Sequence, residues 1–120
     1  MPAFGGNEGV AVVQAVGSSV KNIKVGDWVL PDKAASGTWR QVARYSADEV
    51  VRVPNDVPVP YAASLAVNPA SAYRMLRDYV QLKPGDWIIQ NGANSMVGLS
   101  VIQMAKEMGV HTINICRTDT

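Results

Sequence analysis

The stretch Gly85-Asp86-Trp87-Ile88-Ile89-Gln90-Asn91-Gly92-Ala93-Asn94-Ser95-Met96-Val97-Gly98 opens a unit around which the rest of the chain is read. A short apolar run gives way at Asn91 to a turn of small residues. Apolar side chains then recur at Val97, Val101, Ile102, Ala105 and Met108, which is helical spacing, while Gln103, Lys106 and Glu107 can face water. Gly109 supplies a left-handed stop, and Thr112-Ile113-Asn114-Ile115-Cys116-Arg117 is a second β-branched run. Strand, turn, helix and strand make the β-turn-α-β unit with which a parallel sheet begins.

The turn has the chemistry of an anion site. A pyrophosphate approaches backbone N–H groups at a helix N-terminus only where the side chains are small. Gly92, Ala93, Ser95 and Gly98 meet that condition, whereas Met96 puts a long side chain into it. A plain strand-turn-helix corner is the competing reading of the same residues. Arg117 stands roughly 20 residues beyond the turn, where folds of this kind read the adenine ribose. An acidic residue there favours NAD; a guanidinium can grip a 2′-phosphate with two parallel hydrogen bonds. The cofactor expected is therefore NADP(H). A solvated Arg117, or one paired with Asp119, is the alternative.

The 120 residues suffice for one core, and 48% hydrophobic with 18% charged residues is ordinary for a folded chain rather than a disordered one. A net charge of +1 without a basic run gives no electrostatic case for nucleic acid or an anionic membrane. No apolar stretch reaches the length of a membrane span. Cys116 and His111 are each the only residue of their kind, so neither a disulfide within the chain nor a thiolate or imidazole cluster for zinc can form. Cys116 reads as a small buried hydrophobe. The segment Met1-Pro2-Ala3-Phe4-Gly5 has the character of neither a transit peptide nor a secretory signal.

The first half looks all-β. Val10 to Val16 is β-rich and ends in Gly17-Ser18-Ser19; Lys24-Val25-Gly26-Asp27 is a turn feeding a strand from Trp28 to Pro31. Gly37 to Tyr45 alternates bulky and polar residues, as a half-exposed strand should, and Glu49 to Val53 gives another short strand. A small antiparallel, barrel-like region is expected. The connector Asn55-Asp56-Val57-Pro58-Val59-Pro60 marks a boundary, and beyond it Tyr61 to Ala66 can form a helical turn or two. Asn68, as N-cap, and Pro69, at the first helical position, open a stronger helix to about Tyr79. Trp39 reads as a core or interface aromatic; Arg40 and Arg74 read as surface or ion-paired.

Taken together, Gly5-Gly6-Asn7-Glu8-Gly9-Val10, Lys24-Val25-Gly26-Asp27-Trp28-Val29, Gly37-Thr38-Trp39-Arg40, Val67-Asn68-Pro69, Ala72-Tyr73-Arg74-Met75-Leu76 and Gln90-Asn91-Gly92-Ala93-Asn94-Ser95 resemble the medium-chain dehydrogenase/reductase superfamily. Within it they are similar to the mitochondrial trans-2-enoyl-CoA, or enoyl-(acyl-carrier-protein), reductases. The resemblance covers essentially the whole chain. Its alcohol-dehydrogenase branch has a histidine where this chain has Asn7, and the wording at 37–40 and 67–69 is typical of the enoyl-thioester branch.

The resemblance implies an α/β fold: part of a GroES-like β-barrel domain over 1–57, then the first βαβ unit of a Rossmann-type cofactor domain over 58–120. It implies NADPH-dependent reduction of 2-enoyl thioesters in mitochondrial fatty acid synthesis, without a metal. Asn68 would lie near the nicotinamide, Asn94, Ser95, Met96 and Val97 on the pyrophosphate, and Arg117 on the 2′-phosphate. The implied partners are a small-molecule or carrier-bound enoyl thioester, with acyl carrier protein as a carrier and a homodimer in the full-length enzyme; nucleic acid and membrane are not among them. The implied compartment is the mitochondrial matrix. A zinc-free NADPH quinone oxidoreductase, and a non-catalytic product acting by association, are the alternatives.

Three departures from the family pattern stand out. Glycine is usual at the position of Met96. Arg-Asp-Arg is usual where this chain reads Arg117-Thr118-Asp119, so one of two basic groups remains. The family's proton-donating tyrosine lies upstream of the Gly-Asn-Glu-Gly motif, and Tyr45, Tyr61, Tyr73 and Tyr79 do not match it. No catalytic residue is therefore assigned, and the chain is expected to be an internal or truncated piece, inactive alone.

Overall fold

The structure is a computed structural model that describes residues 4–117. Contacts divide the chain into two units, Met1–Ala66 and Val67–Thr120. The first unit holds three strands, β1 (Ala11–Val12), β2 (Trp28–Pro31) and β3 (Val50–Val53), and a short helix, α1 (Val59–Ala63). The strands form one antiparallel sheet in the order β1-β2-β3, with Val29 opposite Arg52 and Leu30 opposite Val51. Val29, Leu30 and Val53 are its buried apolar residues, and Ile23 and Ala62 are buried elsewhere in the unit.

The turn into β2 is built by Gly26 and Asp27. Gly26 takes a φ of 91°, open to glycine at no steric cost. The buried Asp27 carboxylate accepts the Lys24 N–H at 3.0 Å. Asn55, just past β3, accepts the Trp28 N–H at 3.1 Å and donates to the Gly26 carbonyl at 2.8 Å. One side chain thereby fastens both ends of the turn.

Two strand expectations change. Of the run Val10–Val16 only Ala11 and Val12 pair as a strand. The segment from Gly37 to Tyr45 is not a strand despite its alternation. The amides of Gly37 and Thr38 donate to the Gly6 carbonyl and that of Trp39 to the Gly5 carbonyl. The donors a ladder would use are committed to a glycine pair, and alternation by itself does not supply a neighbouring strand.

The second unit contains α2 (Asn68–Arg77), β4 (Trp87–Asn91), α3 (Met96–Glu107) and β5 (His111–Ile115). β4 and β5 are parallel, with Ile88 opposite Thr112 and Gln90 opposite Asn114. Ala72 and Leu76 of α2 meet Val101 of α3, with Leu82, Ile88, Val97, Met104 and Met108 around them. Gly109, at φ 70°, ends α3, and its carbonyl takes the Gly85 N–H at 2.8 Å, binding the loop before β4 to the loop before β5. Asn68 is not the N-cap: it is already helical, Val67 precedes it at φ −109° and ψ −64°, and no side chain caps the helix.

Strand periodicity puts Ile88 and Gln90 on the helix side of the sheet and leaves Trp87 and Ile89 on the other, at 66% and 68% exposure. Ile113 and Ile115 extend that bare face, and His111 stacks on Trp87 with ring centroids 4.6 Å apart. Parallel sheets are ordinarily covered on both faces; here helices cover one. Cys116, expected to be buried, lies just past β5 and is exposed.

Candidate functional site

The end of β4 delivers the chain into the turn at Gly92, which adopts φ 58°. Ser95 is the N-cap of α3, in extended conformation, and its Oγ accepts the Gly98 N–H at 3.1 Å. The Ser95 N–H donates to the Gly92 carbonyl at 2.9 Å, closing the turn on itself. Among the described residues, the N–H groups of Asn94, Met96 and Val97 have no acceptor. These are the orphan donors of a helix start, and here they sit at an exposed turn.

Gly98 explains how the helix approaches so closely. A Cβ built on it would lie 2.6 Å from the Ala93 carbonyl oxygen and 2.7 Å from the Ala93 Cα. Any larger residue would push α3 away from the turn. Met96, the departure noted in the sequence, is the first residue of α3 and half-exposed.

The far end of the site is held to the turn by two cross-links. The Ala93 N–H donates to the Ile115 carbonyl at 3.2 Å. Gln90 Nε2 donates to Asn114 Oδ1 at 2.7 Å and to the Gly98 carbonyl at 3.2 Å. Arg117, two residues past β5, is exposed and makes no ion pair among the described residues. Asp119, its alternative partner, lies outside the described residues. Gln90 was not singled out from the sequence, where a glutamine in an apolar strand reads as a plain polar interruption.

Asn94, Ser95, Met96 and Val97 thus share one turn, with Arg117 past the neighbouring strand. Asn68 is half-buried at the start of α2, and its carboxamide makes no hydrogen bond among the described residues. No group of three or more His, Cys, Asp or Glu able to hold a metal ion occurs among them.

In the first unit, the side chain at the position of the zinc-branch histidine has a structural task. Asn7 Oδ1 accepts the Ala35 N–H at 2.9 Å and holds that residue at φ 57°. Trp39, expected in a core or interface, is 81% exposed and lies against Gly5 and Gly6, where a Cβ would come within 2.8 Å of its ring. Arg40 is held by the Ser36 carbonyl at 2.9 Å and the Tyr45 hydroxyl at 3.0 Å, and stacks over the Phe4 and Tyr45 rings.

A glycine-supported strand-turn-helix with free amides in one unit and a small antiparallel sheet in the other are the local features of the medium-chain dehydrogenase/reductase class. Comparison narrows it. The chain is 56% identical over 117 residues to the human mitochondrial enoyl-[acyl-carrier-protein] reductase, covering 98% of this chain and 31% of that protein. Its backbone matches that of Etr1p, the mitochondrial 2-enoyl thioester reductase of Candida tropicalis, in complex with NADP and crotonyl-CoA. There the TM-score is 0.93 at 38% identity, over 98% of this chain and 35% of that one. Escherichia coli quinone oxidoreductase in complex with NADPH is more distant, with a TM-score of 0.80 and 32% identity over 94% of this chain and 35% of that one. No family model matches. Over nearly its whole length the chain is similar to mitochondrial enoyl-thioester reductases, and it spans about a third of the length of the relatives it matches.

Proposed function

We propose that this segment carries the adenosine-phosphate half of an NADPH site in a mitochondrial enoyl-thioester reductase. The observation that carries the reading is the turn itself: unpaired amides at Asn94, Met96 and Val97, Gly98 against the Ala93 backbone, and a solvent-facing Arg117 past β5. Asn94, Ser95, Met96 and Val97 would receive the pyrophosphate, Arg117 the 2′-phosphate, and Asn68 would stand near the nicotinamide. When bound, NADPH supplies a hydride for the β-carbon of a 2-enoyl thioester. The chain's own residues bind and orient: the amides offer fixed partial positive charge to an anion, and the guanidinium selects the phosphorylated ribose. The substrate is a small or carrier-bound enoyl thioester, with acyl carrier protein as a carrier and a homodimer as the state of the full-length enzyme. We take the domain boundary to follow residue 57, at the proline-rich connector, ahead of the contact division after Ala66.

Titration of the chain with NADPH, followed by amide shifts at Asn94, Met96 and Val97, tests this. Weak, salt-sensitive binding localised to the turn is expected; shifts elsewhere alone, or none, would sink it. NADPH-dependent loss of crotonyl-CoA should be close to nil with this chain by itself, because the activity belongs to a protein about three times as long. Robust turnover would overturn that part of the reading.

The bare face of Trp87, Ile89, Ile113 and Ile115 favours a second reading, a product that works by association. Size-exclusion chromatography over a concentration series separates a defined oligomer from the smear of non-specific aggregation.

A further inference from the structure

The inference drawn here rests on the NADPH reading and concerns a residue that reading does not use. We infer that Gln90 is a positioning residue that sets the spacing between the two phosphate-binding ends of the nucleotide site.

Gln90 stands on the last rung but one of β4, opposite Asn114 in β5. Its carboxamide nitrogen has two hydrogens, and both are used: one meets the Gly98 carbonyl in the first turn of α3, the other Asn114 Oδ1. Asn114 in turn donates from Nδ2 to Thr112 Oγ1 at 2.9 Å, which orients its oxygen toward Gln90. A single planar group therefore joins three elements: the strand entering the turn, the helix leaving it, and the strand that ends before Arg117.

The location gives this link its consequence. Residues 91–95 follow Gln90 directly, and Arg117 lies three positions past Asn114. A ligand with one phosphate on the turn and another on Arg117 bridges the two strands at their C-terminal ends, and its affinity depends on their separation there. A ligand with a single phosphate on the turn depends on the turn alone. Beyond the β4–β5 backbone ladder, which ends at Asn91 opposite Ile115, the Ala93 N–H reaches the Ile115 carbonyl at 3.2 Å, a longer tie than the 2.7 Å Gln90 to Asn114 bond. Near the uncovered end of a two-stranded sheet, backbone bonding gives little resistance to splay, so a side-chain clamp has leverage.

The test compares two probes on this chain, adenosine 2′,5′-bisphosphate and adenosine 5′-monophosphate, by amide shift titration. In Gln90→Leu, which keeps the bulk and removes the donors, the dissociation constant for the bisphosphate should rise about three- to tenfold. That for the monophosphate should change less than about twofold. Asn114→Ala leaves the Gln90 to Gly98 bond in place on an exposed position and should weaken the bisphosphate selectively by about two- to threefold. Equal weakening of both probes in Gln90→Leu makes Gln90 a general stabiliser and overturns the inference while leaving the NADPH reading intact. If Gln90→Leu does not fold, Asn114→Ala decides: no selective loss there overturns the inference as well. Failure of either probe to bind the unaltered chain removes the NADPH reading and this inference with it.

Discussion

Gly98 and Ala93 touch backbone to backbone, with 2.6 Å between the place of a Gly98 Cβ and the Ala93 carbonyl oxygen. The contact brings the start of α3 onto the turn that follows β4. It is the one point where a methyl group on the helix cannot be fitted without moving the backbone.

Gly98→Ala should therefore destabilise the second unit although alanine is the better helix former. The helix preference is worth about 1 kcal/mol in favour of alanine, whereas overpacking against backbone costs about 1–3 kcal/mol. A net loss of about 1 kcal/mol by urea denaturation is expected, together with weaker NADPH binding because the orphan amides move outward. An equally stable variant would mean that the helix shifts freely.

Ala35→Gly should act in the opposite direction. Ala35 is exposed at φ 57°, a conformation that costs an L-residue about 1–2 kcal/mol. Glycine removes that cost and adds back about 0.4–1 kcal/mol of unfolded-chain entropy. The variant should be more stable by about 0.5 kcal/mol. Asn7→Ala, which removes the acceptor of the Ala35 N–H, should lower stability by about 1 kcal/mol. Thermal melts of both variants check the pair.

Arg117→Ala should discriminate between cofactors. The guanidinium is exposed and unpaired among the described residues, so its removal leaves the fold unchanged. Binding of NADPH should fall about tenfold, as the loss of one charge-assisted bond to phosphate implies, and binding of NADH should stay the same. Parallel loss of both would place the arginine in the fold rather than at the 2′-phosphate.

Lys33 and Glu49 give a small pH signature. The hydrogen bond from Lys33 Nζ at 3.1 Å, helped by the Ser46 N–H at 3.2 Å, holds the Glu49 carboxyl below its ordinary value. A carboxyl depressed on folding stabilises above its unfolded pKa, and that contribution is lost as pH falls through the folded value. Lys33→Met should lower stability by a small, constant amount at neutral pH and converge with the unaltered chain below the folded Glu49 value, so that the acid limb of the stability curve is flattened. The pair is exposed, so the effect is modest and screened by salt.

Much of the second unit was legible from residue order. The helix from Val97 to Met108 and the stop at Gly109 follow from a period that repeats within a few residues, and α3 spans Met96–Glu107. The small residues at the turn were likewise readable, Gly92 being required by its own left-handed backbone and Gly98 by a contact with Ala93 close by in sequence. The strand expected from Gly37 to Tyr45 failed for a physical reason. Alternation describes which side chains face where, but a strand needs a partner, and Gly5 and Gly6 take these amides instead. Capping at Asn68 failed by one position, since a side chain that can cap does not fix where the helical turn begins.

Sequence order thus settled the strand-turn-helix-strand order of the second unit and its small-residue turn, both carried by residues within a helical turn or two of one another. Tertiary structure alone decided three things: that Asn7 clamps Ala35, that Gln90 joins Gly98 to Asn114, and that Trp87, Ile89, Ile113 and Ile115 share a bare face. Each joins residues distant along the chain, and such pairings arise only when packing and parallel strand register bring them together.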